Sequence, residues 1–187
     1  MTKQEKINKV IDSVKSVLIE KNKRYGNAAL SPINVFYKGD AQTSICIRLD
    51  DKLSRIKNSD VLRKNDMFDL LGYCILLQVD YLTRQSYVNA ETPFKERLEF
   101  VFTIVEDIQK CMDEHNMKSL DYEPNSFKGF SKTEDDNVGI IRNLNGICSD
   151  IKNDKYDYVY TMNPYLILFL IQYFVENDIT DFSDLID

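Results

Sequence analysis

The run Asp66-Met67-Phe68-Asp69-Leu70-Leu71-Gly72-Tyr73-Cys74-Ile75-Leu76-Leu77 decides how this chain is read. Its apolar residues Leu70, Leu71, Cys74 and Leu77 recur at three- and four-residue steps, and Tyr81 continues the stripe. The pattern predicts a helix over about residues 62–82 with a buried face. Asp66, Asp69 and Tyr73 stand at i, i+3 and i+7, so three polar groups share another side of that helix. The same segment therefore builds core and presents chemistry.

Working outward, Ile45, Ile47, Leu49, Leu53 and Ile56 predict a second helix to about Asn58, capped by Thr43 or Ser44. Arg48, Asp51, Lys52 and Arg55 fall at i, i+3, i+4 and i+7 on it and form one charged ridge. Upstream, Ile7, Val10, Ile11, Val14, Val17 and Leu18 predict an amphipathic helix from Lys3 to about Asn22. Arg24-Tyr25-Gly26-Asn27 ends it, because Gly26 accepts the left-handed conformation that closes a helix. An irregular loop through Pro32 and Gly39 follows.

Downstream, Thr92 as cap and Pro93 at the first helical position predict a fourth helix to about Asn116. An irregular acidic segment, 117–136, reads as a lid or loop. A fifth helix spans Val138 to about Lys152. Pro164 starts a sixth, Tyr165 to Asn177, apolar nearly all round and so expected at the centre or at an interface between copies in a homo-oligomer. Residues 141–153 loosely echo 47–58, with a gap and without the carboxylates. The expected architecture is all-α: a helical bundle over 1–84, with an acidic helical extension over 85–187 packed on it or continuous with it.

Composition agrees with that reading. The 187 residues are 43% hydrophobic with only six Gly and four Pro, which favours long helices over the many turns of a β fold. Four widely spaced cysteines, with no Cys-x-x-Cys pair, read as small buried thiols in a reducing cytoplasm. The N-terminal residues lack the apolar run of a signal peptide, and the longest apolar run, Tyr165 to Val175, is well short of the roughly 20 residues that span a bilayer. A soluble protein with no membrane partner is expected. Net charge is −6, but residues 1–84 carry 15 Lys+Arg against 10 Asp+Glu, and residues 85–187 carry 9 against 20. The mildly basic half suits a nucleotide or another small phosphorylated ligand and is too weak for duplex nucleic acid. The acidic half suits contact with a protein partner.

Two carboxylates one helical turn apart, faced by acids from a neighbouring helix, are a way for a bundle to hold Mg²⁺ through oxygen ligands. Asp66 and Asp69 supply one such pair, and Asp50 or Asp51 could face them from the second helix. Arg48, Lys52 and Arg55 would then neutralise charge developing on a leaving pyrophosphate. Asp51 and Arg55 read equally well as an ordinary i, i+4 surface pair. Tyr25 and Tyr73 offer rings that could stack on a base, or tyrosines at the edge of a core with a wet hydroxyl. His115, the sole histidine, suits the negative end of the fourth helix. No Gly-rich phosphate loop, nucleophile elbow or Cys–His pair is present.

The motifs Lys21-Asn22-x-x-Tyr25-Gly26-Asn27, Arg48-Leu49-x-Asp51-Lys52-x-x-Arg55 and Asp69-Leu70-x-x-Tyr73 resemble the nucleotide modification associated domain of the first type. That helical family is found in bacteriophages and in bacteria carrying them. It is similar in turn to the all-α nucleoside triphosphate pyrophosphohydrolases of the MazG and dimeric dUTPase kind. The resemblance covers about residues 5–82. It implies a nucleotide held by Asn22, Tyr25, Asn27, Arg48, Lys52, Arg55 and Tyr73, with Mg²⁺ on Asp51, Asp66 and Asp69. It further implies that Asp51, Lys52 and Asp69 would carry hydrolysis to a monophosphate and pyrophosphate. Arg24, Val61 and Asn65 stand where the family is expected to have acids, and Asp66 is displaced by one residue, a rotation of about 100° on a helix. These departures weaken the metal site more than the phosphate site. They favour a protein, host-cytoplasmic if phage-encoded, that binds a nucleotide and hydrolyses it poorly or not at all; the alternative is a non-catalytic protein that sequesters a nucleotide or contacts a host protein.

Overall fold

The computed structural model describes residues 1–36, 38–59, 63–114 and 156–186, and is helical throughout, with no strand among them. Helix α1 (Lys3–Tyr25) begins with a reciprocal cap: the Glu5 amide donates to Thr2 Oγ1 at 3.2 Å and the Thr2 amide to Glu5 Oε2 at 2.7 Å. Two donors that the first turn would leave orphaned are thereby satisfied. The helix ends at Gly26 in the left-handed conformation (φ 61°), and Asn27 follows it there (φ 63°). The predicted breaker is correct, although the helix runs three residues beyond Asn22.

Helix α2 (Ala41–Lys57) starts before Thr43 because Asp40 is its cap, accepting from the Thr43 amide at 2.8 Å and the Thr43 hydroxyl at 2.6 Å. Ile45, Leu49, Leu53 and Ile56 are buried as expected; Ile47 is half exposed, since two residues on a helix turn a side chain about 200° away. Helix α3 (Lys64–Arg84) buries residues on nearly every side, and packs against α2 and α4. Helix α4 (Phe94–Glu114) turns Leu98, Val101, Phe102, Val105 and Met112 inward. Its first helical bond runs from the Arg97 amide to the Pro93 carbonyl, so Pro93 precedes the helix instead of opening it.

Helix α5 (Tyr156–Glu176) begins eight residues before Pro164, which lies inside it. Proline removes one donor and crowds the preceding turn without always ending a helix, and here the packing of the apolar stretch that follows prevails. Leu166 to Ile171, Phe174 and Val175 are all buried, and α5 lies against α1, α3 and α4. Its central position is the expected one. The final turn, Ser183–Leu185, brings Phe182 into contact with Phe68 and Phe174 at centroid separations of 4.9 and 4.8 Å. One core thus draws on helices from both sides of residue 84.

Polar groups in this core are few and positioned. Asn163, fully buried beside Pro164, donates to the Cys74 carbonyl and to Gln78 Oε1 of α3, both at 2.9 Å. Cys74 is buried, Cys46 partly so, and Cys111 is exposed on α4, off its apolar stripe. Among the described residues no helix is long and apolar enough to cross a membrane. The expected fifth helix, the acidic segment 117–136, the 141–153 echo, His115 and Cys148 lie outside the described residues.

Candidate functional site

The C-terminal end of α1 and the middle of α3 meet closely at Gly72. A β-carbon there would come within 3.3 Å of Leu18 Cδ2, tighter than side chains ordinarily tolerate. The turn that Gly26 imposes brings Asn27, Ala28 and Ala29 to the same place. The result is a cavity of about 240 Å³ lined by Leu18, Lys21, Asn22 and Tyr25 of α1, by Phe68, Asp69, Gly72, Tyr73 and Leu76 of α3, by residues 27–29, and by Phe94.

Five sequence-predicted residues converge on this cavity: Asn22, Tyr25, Asn27, Asp69 and Tyr73. Asn22 Nδ2 donates to Asn27 Oδ1 at 2.9 Å, which ties the last turn of α1 to the loop that closes the cavity. Tyr25 stands at the rim, 60% exposed, whereas Tyr73 is half-buried against the core. Leu18, Phe68, Leu76 and Phe94 make the remainder of the wall apolar. Flat rings and aliphatic walls with a few oriented polar groups are the usual make-up of a small-molecule site.

The charged part is a three-residue arrangement. Asp69 Oδ2 lies 2.7 Å from Lys52 Nζ, and Asp69 Oδ1 lies 3.9 Å from Lys21 Nζ. Lys52 reaches Asp69 from α2 and is itself buried, so its charge is already met. Lys21 is held only loosely by Asp69, and its ammonium sits 5.4 Å from the centroid of the Phe68 ring. Of the cations near the cavity, Lys21 is the one on its wall. Lys21 stands in the first motif without an expected role, and Phe68, Leu76 and Phe94 carry no sequence signal that marks them as lining a site. Helical spacing alone does not show which faces of two helices border one cavity.

The other predicted residues lie elsewhere. Arg48 is exposed on the outer side of α2, and Arg55 pairs with Asp51 across one turn at 3.2 Å, both side chains about half exposed. The surface-pair reading of Asp51 and Arg55 matches this geometry. Asp66 is buried in the first turn of α3 and is not on the cavity wall. Asp51 is held by Arg55 and Asp69 by Lys52. Among the described residues no group of three or more His, Cys, Asp or Glu side chains comes together, and of the three acids only Asp69 is on the cavity wall.

A larger hollow, about 600 Å³, runs between α1 and α4 past Gln4, Asn8, Asp12, Glu106, Gln109 and Asp113. It has more acids and amides than aromatic surface and contains none of the predicted residues. The cavity at the α1–α3 junction is the better candidate on chemistry, though it is the smaller. Comparison of the chain with protein-family models, with curated proteins and with solved structures gives no match.

Proposed function

We propose that this chain is a nucleotide-binding protein, of the kind its motifs resemble in phages and prophages, that holds its ligand at the α1–α3 junction and releases it unchanged. The observation that carries the reading is the convergence of Asn22, Tyr25, Asn27, Asp69 and Tyr73 on one cavity, from two motifs separated by 42 positions, Asn27 to Asp69. The base enters between the Tyr73 ring and the apolar wall, with Tyr25 as the outer aromatic surface. Stacking on such rings contributes about 1–3 kcal/mol per base. Asp69 and the Asn22 and Asn27 amides face hydrogen-bonding groups of the base or sugar.

Binding without turnover is favoured over hydrolysis because, of Asp51, Asp66 and Asp69, only Asp69 lines the cavity, and it is engaged by Lys52 at 2.7 Å. The test is a thermal-shift screen of the full chain against nucleosides and nucleotides with and without Mg²⁺, followed by chromatography of each hit. Stabilisation with the nucleotide recovered intact is the expected outcome, and Tyr73→Ala should abolish it. Pyrophosphate release that requires Mg²⁺ would replace this reading with the enzymatic one. No stabilisation by any nucleotide would sink both and direct attention to a protein partner of the acidic half.

A further inference from the structure

The charge arrangement in the cavity bears on how many phosphates its ligand carries. This step rests on the nucleotide reading above. Among the described residues, Lys21 is the only cation on the cavity wall. Lys52 is committed to Asp69 at 2.7 Å, and the arginines of α2 lie outside, Arg55 being paired with Asp51. The carboxylate of Asp69 is itself on the wall, 3.9 Å from Lys21 Nζ. A polyphosphate tail would bring several negative charges to a place with one loosely held ammonium and a carboxylate next to it. Sites for such tails ordinarily supply arginine forks, a run of backbone amides at a helix N-terminus, or a metal ion. The helix end at this cavity is the C-terminus of α1, whose carbonyls disfavour an anion.

We infer that the cavity selects a ligand with a single phosphate group, a nucleoside monophosphate, whose phosphate takes Lys21 while Asp69 Oδ1 accepts a hydrogen bond from an amino, imino or hydroxyl group of the same ligand. The volume points the same way. At about 240 Å³ the cavity lies below the roughly 300–1,000 Å³ typical of sites for drug-sized ligands. Lys21 can turn from Asp69 to the phosphate at little cost, because Lys52 continues to satisfy the carboxylate. Selection thus has an attractive part, one ammonium for one phosphate, and a repulsive part, the Asp69 carboxylate against any second phosphate.

The experiment is calorimetric titration of the full chain, without Mg²⁺, with the nucleoside, 5′-monophosphate and 5′-triphosphate of each base, and with inorganic phosphate and tripolyphosphate as bare anions. For the preferred base, the monophosphate should bind at least about tenfold more tightly than the nucleoside, as one charge-assisted contact provides. The triphosphate should bind no more tightly than the monophosphate. Lys21→Gln should abolish the difference between monophosphate and nucleoside affinity measured on the same variant, and Lys21→Arg should restore most of it. Triphosphate binding tenfold or more above monophosphate, or a Lys21→Gln variant with undiminished monophosphate affinity, overturns the single-phosphate inference and leaves nucleotide binding intact. Absence of binding by every nucleoside and nucleotide overturns both. Circular dichroism and melting of each variant ensure that a loss of affinity is not a loss of fold.

Discussion

Lys52 and Arg55 are three residues apart on one helix, both cations beside an acid, and their surroundings differ completely. Lys52 is buried and holds Asp69 of another helix at 2.7 Å; Arg55 is exposed and holds Asp51 of its own helix at 3.2 Å. In the sequence they belong to one charged ridge. In the fold only the first links α2 to the candidate site, and the second is a solvated pair. Helical spacing gathers side chains in projection, but the direction from which a neighbouring helix approaches decides which of them acquires a partner in another element.

That difference can be broken or sharpened by substitution. The largest effect belongs to the shared floor of core and cavity. Phe68→Ala removes a fully buried ring in contact with Phe182 and should cost about 3–5 kcal/mol in denaturant unfolding; a loss under about 1 kcal/mol would mean that α3 is not the central element. Lys52→Met should cost about 1–2 kcal/mol, because it strips the close partner from an Asp69 that is still a third exposed and can recruit water. Arg55→Met should change stability by less than about 0.5 kcal/mol, as exposed pairs do. Equal costs for Lys52→Met and Arg55→Met would erase the distinction between the inner and outer sides of α2.

Between these lies the start of α2. Asp40→Ala removes the Thr43 cap and should cost about 1 kcal/mol near neutral pH. The Thr43 side-chain hydrogen bond, with help from Arg84, holds the Asp40 carboxyl below the usual carboxylate range. A depressed carboxyl stabilises the fold above its unfolded pKa, and that contribution is lost as pH falls through the lower folded value. Burial pushes the Asp80 carboxyl up despite its 2.7 Å pair with Arg84. Its sign is opposite: the penalty for the charged form is present at neutral pH and lifts as pH falls through the raised value. Asp40→Ala should therefore show a shallower loss of stability than the parent in acid, from about pH 4 downward, when melting is followed against pH. A steeper acid loss in the variant would reverse the assignment.

Much of the fold was legible because its signals are local. Period-3.6 stripes gave α1, α3 and α4, and Gly26 marked a left-handed turn that the backbone adopts at φ 61°. The missed features depend on competition, some of it between near neighbours and some between residues distant in sequence. Asp40 displaced Thr43 as a cap, Pro164 is carried inside a helix by the packing around it, and Ile47 faces solvent although its neighbours at 45 and 49 do not. The candidate site divides the same way. Asn22, Tyr25 and Asn27 are near neighbours at the end of one helix, and their grouping could be read directly. That Asp69 and Tyr73 would join them, while Arg48, Asp51 and Arg55 would not, follows from the Gly72–Leu18 approach, which no spacing rule contains.

Asn163 bears on a different property, the uniqueness of the assembled bundle. An apolar helix such as α5 can slide by a turn against its neighbours and still find greasy partners, so oil-like packing alone chooses poorly among alignments. The two hydrogen bonds from Asn163 to Cys74 and Gln78 tie α5 to α3 at one alignment, and a slide by a turn would forfeit both in a dry interior. A single side chain thereby acts as a vernier for the molecule. The position of α3 relative to α5, and with it the wall that α3 presents to the cavity, is set by a contact at Cys74, the residue next to Tyr73 of that wall.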